Sequence, residues 1–76
     1  MYEQLKQIMV RKFQVPSAEI KPEVTLKDLG LDSLDLVELS LAIEQETGVR
    51  VTDDELAEAG RLASVVHLVT SRGAVV

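Results

Sequence analysis

Cysteine is absent from this 76-residue sequence, and only two residues, Tyr2 and Phe13, are aromatic. Without cysteine, neither disulfide bonds nor thiolate metal sites can support the fold. With so few aromatic residues, the core must be built from aliphatic side chains and methionine, which suits packed helices better than stacked sheets. The lack of disulfide bonds also fits a cytoplasmic location, and that is the location we expect.

Long apolar runs and stretches rich in proline, glycine or serine are missing as well. Residues 1–13 are therefore not expected to form a signal peptide or a membrane span, and we expect a chain without a targeting segment. No repeat or low-complexity tract divides the sequence. Because 76 residues can enclose only one small core, we predict a single domain over residues 1–76.

Basic residues are scarce in the middle of the chain. From Asp28 to Glu58 the sequence has ten acidic residues and one basic residue, Arg50, so this segment carries −9 and the remainder +4. Such a field repels nucleic acids and anionic membranes, whereas it attracts proteins with lysine- or arginine-rich patches. An acidic face that is merely solvated is the plainer alternative.

Apolar spacing and helix-capping residues predict four α-helices, three main ones and one short one. The first covers about residues 2–13 and the last about residues 62–71, stopped by Gly73. Between the first and second helices, Ser17 is expected to cap a short turn that ends at Ile20. A second helical turn, from Thr25 to Leu29, is predicted with Asp28 completing a capping box.

The second and third helices have clearer boundaries. Asp32 is the expected N-cap of the second helix, with Asp35 three residues later, and Gly48 ends that helix after Thr47. Thr52 and Glu55 predict a capping box for the short third helix, which ends near Gly60. The predicted fold class is therefore all-α, a four-helix bundle.

The second helix has more apolar surface than one buried face requires. One stripe is assigned to the core and consists of Leu36, Leu39 and Ile43. A second stripe lies among Asp35, Glu38 and Glu44 and consists of Leu34, Val37 and Leu41. Two interpretations remain open: the helix is buried on two sides within the bundle, or the second stripe meets a partner protein.

Ser33 lies in the first turn of the second helix, after the turn at Gly30. A helix start has unpaired N–H groups and a partial positive charge, so it favours a phosphate ester on this hydroxyl. A catalytic serine needs a base, but the sole histidine is His67 on the apolar side of the last helix, and no G-x-S-x-G motif is present. Ser33 is therefore predicted to be an attachment point. No acidic cluster has the spacing of a calcium loop, so no metal site is predicted.

Taken together, Gly30–Leu34, the acidic helix after it and Thr52–Glu55 resemble the acyl carrier protein family, most clearly from Leu26 to Val69. The resemblance implies a non-catalytic carrier with a four-helix bundle of the acyl carrier type. It implies that Ser33 receives the 4′-phosphopantetheine arm of coenzyme A from a phosphopantetheinyl transferase, and that the thiol of the arm carries acyl groups as thioesters. Asp32 and Leu34 flank the attachment point, and Asp32 would also help to orient the transferase.

The resemblance further implies that the second helix docks basic patches on an acyl-loading enzyme, a ketosynthase or other pathway enzymes. Weak, fast docking suits a monomeric shuttle that leaves each enzyme after each step. The residues implied in docking are Asp35, Val37, Glu38, Leu41 and Glu44. The interior would shelter an acyl chain among Leu5, Leu26, Leu29, Leu39, Ile43 and Val66.

Some positions depart from typical fatty-acid carriers, and these are Leu36, Ser40, Thr47 and Gly60–Arg61. These departures leave a polyketide or other specialised pathway at least as well supported as fatty-acid synthesis. The residue before Ser33 is Asp32 rather than histidine, which favours an acyl carrier over a peptidyl carrier. Two other functions are weighed against the carrier. One is an acidic helical adaptor that binds a basic partner and is never modified; the other is a hydrolase, which lacks a base for Ser33.

Overall fold

Helices with aliphatic inner faces make up most of this protein, whose computed structural model describes residues 1–73. A single 3₁₀ turn, Ser17–Glu19, lies in the long connection between the first two α-helices. These α-helices match the predicted four and confirm the all-α bundle: α1 (Tyr2–Phe13), α2 (Ser33–Thr47), α3 (Asp53–Ala59) and α4 (Leu62–Ser71). Within residues 1–73 there is no strand, only an isolated antiparallel bridge between Thr25 and Arg61.

The helix ends follow from a few residues at each boundary. Asp32 and Thr52 each form a complete capping box, which fixes where α2 and α3 begin. Gly48 ends α2 in the left-handed conformation with φ 75°, and its N–H donates to the Glu44 carbonyl at 2.8 Å. A side chain with a Cβ is strained at this φ, so glycine is the residue suited to stop the helix there.

The core is aliphatic apart from two methionines, Met1 and Met9, as the composition predicts. Its nine largest fully buried side chains come from all four helices, but α3 contributes only one of them. They are Leu5, Ile8, Met9, Leu39, Ile43, Leu56, Leu62, Val65 and Val69. Because each element places an apolar face inward, the four helices share one core and none has to be stable alone.

The long connection between α1 and α2 is held against the junction of α3 and α4 by backbone hydrogen bonds. The Leu26 N–H donates to the Gly60 carbonyl at 2.7 Å, and the Leu62 N–H donates to the Val24 carbonyl at 3.0 Å. These bonds place the end of the connection beside α3, directly before α2 begins. The start of α2 therefore lies next to α3 as well as next to its own preceding loop.

Two predictions about this connection need correction. Pro16, rather than Ser17, precedes the 3₁₀ turn, and no side chain caps it. The predicted turn from Thr25 to Leu29 is present, since the Leu29 N–H donates to the Thr25 carbonyl at 3.2 Å and the Thr25 hydroxyl accepts from the Asp28 N–H at 2.9 Å. Within residues 1–73 the Asp28 carboxylate does not accept from the Thr25 N–H in return, so the predicted capping box is only half formed. The Gly30 and Leu31 N–H groups bond back into the same segment, and this reversal ends it before a helix can extend.

Three residues predicted to be buried are only partly buried. Leu36, Leu29 and Val66 pack against the core but retain contact with solvent.

None of the helices formed by residues 1–73 is long and apolar enough to cross a membrane.

Candidate functional site at the start of helix α2

The start of α2 is fixed by two reciprocal hydrogen bonds. The Asp32 side chain accepts from the Asp35 N–H at 3.0 Å, and the Asp35 side chain accepts from the Asp32 N–H at 3.2 Å. Asp32 has extended backbone geometry, so the chain enters the helix abruptly and Ser33 becomes its first residue. The capping box therefore determines where the Ser33 hydroxyl lies.

Ser33 is exposed, and its surroundings suit an anionic substituent. The N–H groups of Ser33 and Leu34 donate to no acceptor within residues 1–73. Unpaired N–H groups at a helix start carry partial positive charge and stabilise a phosphate. Gly30, with φ 82°, makes the turn that directs the chain into this helix start.

A cavity of about 560 Å³ opens beside Ser33. Asp32 and Ser33 lie on its rim, and its apolar walls come from three parts of the chain: Leu26 and Leu31 from the preceding loop, Leu36 from α2, and Leu56 from α3. The Ser33 hydroxyl therefore borders a space with mainly aliphatic walls, next to a helix start that favours phosphate.

The walls of this cavity differ from the predicted set of residues. Of the six side chains expected to shelter an acyl chain, only Leu26 lines the space beside Ser33. The others, which are Leu5, Leu29, Leu39, Ile43 and Val66, lie in or against the core and do not line this cavity, so their role in sheltering an acyl chain stays a prediction. Leu5, Leu39 and Ile43 are instead fully buried among the packed helices.

The second apolar stripe of α2 faces solvent. Leu34 is 74 % exposed, Val37 41 % and Leu41 54 %, so burial of this stripe within the bundle is the wrong alternative. Glu38 is exposed beside it and forms no ion pair within residues 1–73. Such a patch, apolar at its centre and acidic at its edge, is typical of a protein-binding surface.

Two other acidic residues predicted to dock partners are engaged within the chain. Asp35 is held in the capping box. Glu44 pairs with Arg50 at 3.4 Å, an exposed contact of the kind that exchanges readily with a partner's basic group.

His67 does not approach Ser33. It is exposed on α4 and lines a shallow groove with Glu55 and Glu58, whereas no histidine lines the cavity beside Ser33. Its position on an apolar face was therefore predicted wrongly. Within residues 1–73 there is also no group of three or more side chains that could hold a metal ion.

Sequence reasoning missed an ion pair at the start of α3. Arg72 donates both guanidinium Nη atoms to the Glu55 carboxylate, and Nη1 also donates to the Arg50 carbonyl at 3.1 Å. The Arg72 hydrogen bond, followed by the backbone bond from Thr52, lowers the pKa of Glu55 from 4.5 to about 2. Seventeen residues separate Arg72 from Glu55, so no local pattern indicates the contact.

Comparison with known proteins agrees with this geometry. Residues 3–69 match the family described as "Phosphopantetheine attachment site". An acyl carrier protein of Nitratidesulfovibrio vulgaris (strain DP4) is 37% identical over 71 residues, covering 92% of this chain and 93% of the relative. An acyl carrier protein of Saccharopolyspora erythraea is 38% identical over 68 residues, covering 88% of this chain and 72% of the relative.

The fold has a solved counterpart. The crystal structure of an acyl carrier protein from Thermotoga maritima superposes with a TM-score of 0.77, covering 92% of this chain and 82% of that one, at 24% sequence identity. These matches define a phosphopantetheine-dependent carrier, and the chain belongs to the acyl carrier protein family. It is a non-catalytic carrier whose cofactor is 4′-phosphopantetheine.

The residues at the start of α2 fit that cofactor. An exposed hydroxyl, two backbone N–H groups without an acceptor in the described part of the chain, and an adjoining aliphatic cavity lie together there. The hydroxyl would offer an oxygen for a phosphodiester, the N–H groups would stabilise its charge, and the cavity has apolar walls suited to an apolar chain.

Proposed function

We propose that Ser33 is the residue that carries the arm, and that residues 1–76 act as a single carrier domain. The supporting observation is the position of Ser33 as the exposed first residue of α2, with unpaired N–H groups on Ser33 and Leu34. When attached, 4′-phosphopantetheine supplies a terminal thiol that holds acyl groups as thioesters.

In this proposal the neighbours of Ser33 have separate roles. Asp32 fixes the helix start and presents a carboxylate on the rim of the cavity, where a transferase would approach. Leu34, exposed one residue further on, provides an apolar contact next to the arm. The N–H groups of Ser33 and Leu34 stabilise the phosphodiester charge through the positive end of the helix dipole.

We also propose that α2 docks the partner enzymes. Val37 and Leu41 would form the apolar centre of the contact, while Asp35, Glu38 and Glu44 would meet basic side chains of the partner. The partners in this proposal are a phosphopantetheinyl transferase, an acyl-loading enzyme, and a ketosynthase or other pathway enzyme. Charge at the edge of an interface mainly speeds association, while a small apolar centre allows fast dissociation, and a shuttle requires both.

The pathway we propose is fatty-acid, polyketide or a related specialised biosynthesis, in which the protein acts as a cytoplasmic monomer. Specialised pathways are included because the chain differs from typical fatty-acid carriers at Leu36, Ser40, Thr47 and Gly60–Arg61. Comparing acylation by fatty-acid and polyketide loading enzymes on the same holo protein separates these pathways.

The attachment is tested by incubating the protein with coenzyme A and a broad-specificity phosphopantetheinyl transferase, then recording an intact mass spectrum. We expect a gain of one arm in the natural sequence and complete loss of that gain in Ser33→Ala. Ser40→Ala, on the same helix, is the matched control and should be modified normally. Failure of the natural sequence to gain an arm while folded would contradict the proposal and favour an unmodified adaptor.

Docking is tested by reversing one charge. Glu38→Lys should slow acyl transfer to or from a partner enzyme and reduce the dependence of the rate on salt, because one attractive contact becomes repulsive. Glu3→Lys, an exposed reversal on α1, is the control and should change neither quantity comparably. Equal rates and equal salt slopes for Glu38→Lys and the natural sequence would contradict docking through this surface.

A further inference from the structure

Helix α3 forms one wall of the cavity beside Ser33, and little of its own structure holds it in place. It has seven residues, and Leu56 is its only buried side chain. Leu56 and Ala57 both line the cavity. Because a helix this short is marginal without tertiary contacts, its position depends on what fastens its ends.

One guanidinium group fastens the first turn of α3. Arg72 lies just after α4, and its Nη1 donates to Glu55 Oε1 at 2.7 Å and to the Arg50 carbonyl at 3.1 Å. Its Nη2 donates to the other carboxylate oxygen of Glu55. The end of α4, the connection after α2 and the start of α3 are thus joined through a single side chain.

The Arg72–Glu55 contact is less exposed and has more hydrogen bonds than an ordinary surface ion pair. The two side chains are 39% and 29% exposed, the bonds to the carboxylate are paired, and Glu55 also accepts from the Thr52 N–H at 2.9 Å. Paired guanidinium–carboxylate bonds within a network fix orientation better than isolated exposed pairs do. The lowered pKa of Glu55 agrees with a carboxylate that is held in its charged form.

The anchored residue is the immediate neighbour of the cavity wall. Glu55 precedes Leu56, so a rotation of the first turn of α3 moves the Leu56 side chain relative to Leu36 and Leu26 on the other walls. A shallow groove runs between α3 and α4 from Glu55 onward, and its other lining residues include Glu58, Ser64 and His67. At the end of this groove next to the start of α3, the Arg72–Glu55 contact joins the end of α4 to the start of α3.

We propose that Arg72 is a positioning residue that holds the α3 wall, so that the cavity beside Ser33 keeps a defined shape for the acyl chain on the arm. This inference rests on the proposed attachment at Ser33. It makes the fit of the cargo depend on a contact on the far side of α3, with no direct contact between Arg72 and the cargo.

The first test uses the unmodified protein and does not require an arm. In Arg72→Gln, amide hydrogen exchange at Leu56 and Gly60, whose N–H groups bond at 3.0 and 3.1 Å, should accelerate. We expect about a three- to fivefold increase, the change that a strong exposed ion pair supports. Exchange at Leu36, in the first turn of α2, should stay unchanged. Equal exchange at Leu56 and Gly60 in both proteins would overturn the proposal.

The second test separates positioning from general stability. Loading holo protein with butyryl, hexanoyl and octanoyl groups should raise the melting temperature of the natural sequence progressively with chain length. Arg72→Gln should lose most of this length dependence, whereas a purely structural loss would lower the holo and acyl forms equally. Arg72→Lys, which keeps the charge without the paired bonds, should recover only part of it. Full length dependence in Arg72→Gln would overturn the proposal.

Two controls make the result specific. Arg11→Gln removes the exposed Arg11–Glu46 ion pair away from α3 and should retain the length dependence. Glu55→Gln removes the carboxylate charge that binds Arg72 but retains an oxygen for the Thr52 N–H, so the capping box is kept. This variant should therefore weaken the length dependence as Arg72→Gln does. Combining the two substitutions should weaken it little further, because both remove the same contact. Intact mass after loading reports the arm itself, so absence of attachment is distinguished from failure of the Arg72 contact.

Discussion

The starts of α2 and α3 have the same local design and different surroundings. Both begin at a capping box, with Asp32 and Asp35 at one and Thr52 and Glu55 at the other. At α2 the first turn faces solvent and a cavity, and neither the Ser33 hydroxyl nor the N–H groups of Ser33 and Leu34 have a partner within residues 1–73. At α3 the carboxylate of the box is bound by Arg72 from the end of α4.

The comparison shows that neighbouring segments decide whether a capped helix start is available to bind a phosphate, as at α2, or is held by an ion pair, as at α3. Local sequence determines the cap in both places, and the cap contributes similarly to each helix. Tertiary packing then leaves one positive helix end available for a phosphate and gives the other a long-range ion pair. The predictions below disturb one start at a time, from the largest expected effect to the smallest.

Removing the only buried side chain of α3 should have the largest effect on stability. Leu56→Ala should lower the free energy of unfolding by about 2–5 kcal/mol, because it leaves space in the core and detaches the α3 wall. Leu34→Ala, on the exposed side of the α2 start, should change it by less than about 0.5 kcal/mol. Urea denaturation measures both, and similar losses would contradict the difference between the two regions.

Removing the caps should cost less and affect both helices alike. Asp32→Ala and Thr52→Ala should each lower the free energy of unfolding by about 1 kcal/mol, since each leaves a first-turn N–H without its acceptor. Asp32→Asn retains a side-chain oxygen and serves as the control, with a smaller loss. If Thr52→Ala were harmless, Arg72 would be sufficient to fix α3 without the capping box.

The smallest effect concerns pH. The pKa of Glu55 in the folded protein is about 2, below its usual 4.5, so the stability it contributes is fully present above pH 4.5 and is lost as pH falls towards 2. Glu55→Gln should therefore be less stable than the natural sequence at neutral pH, and the difference should vanish towards pH 2. Chemical denaturation at several pH values measures it, with Glu58→Gln as an exposed control. A constant difference across this range would contradict the Arg72–Glu55 contact.

The helix boundaries could be predicted because their signals are local. Asp32, Gly48 and Thr52 each act within one turn of the chain, and the structure begins or ends a helix at each of them. The position of Ser33 follows from the same cap. What the sequence could not decide was the environment of α2's second stripe, since an apolar pattern is the same whether a neighbouring helix or solvent covers it.

The cavity and the Arg72 contact depend on the meeting of distant segments. Leu31, Leu36 and Leu56 line the cavity because the α1–α2 connection is held against the α3–α4 junction, which periodicity along one helix does not reveal. Periodicity therefore predicts that Leu36 is a core residue, but not that it also lines the cavity. Arg72 likewise lies far from Glu55 in sequence, in a segment with no distinguishing motif.

Locating the arm on the chain tests the central claim most directly. After modification with coenzyme A and transferase, trypsin should release the segment Asp28–Arg50, which contains Ser33, Ser40 and Thr47. Fragmentation of this peptide in the mass spectrometer assigns the phosphodiester to one hydroxyl. The account predicts the arm on Ser33 alone, whereas an arm on Ser40, on Thr47 or on a different peptide would contradict it.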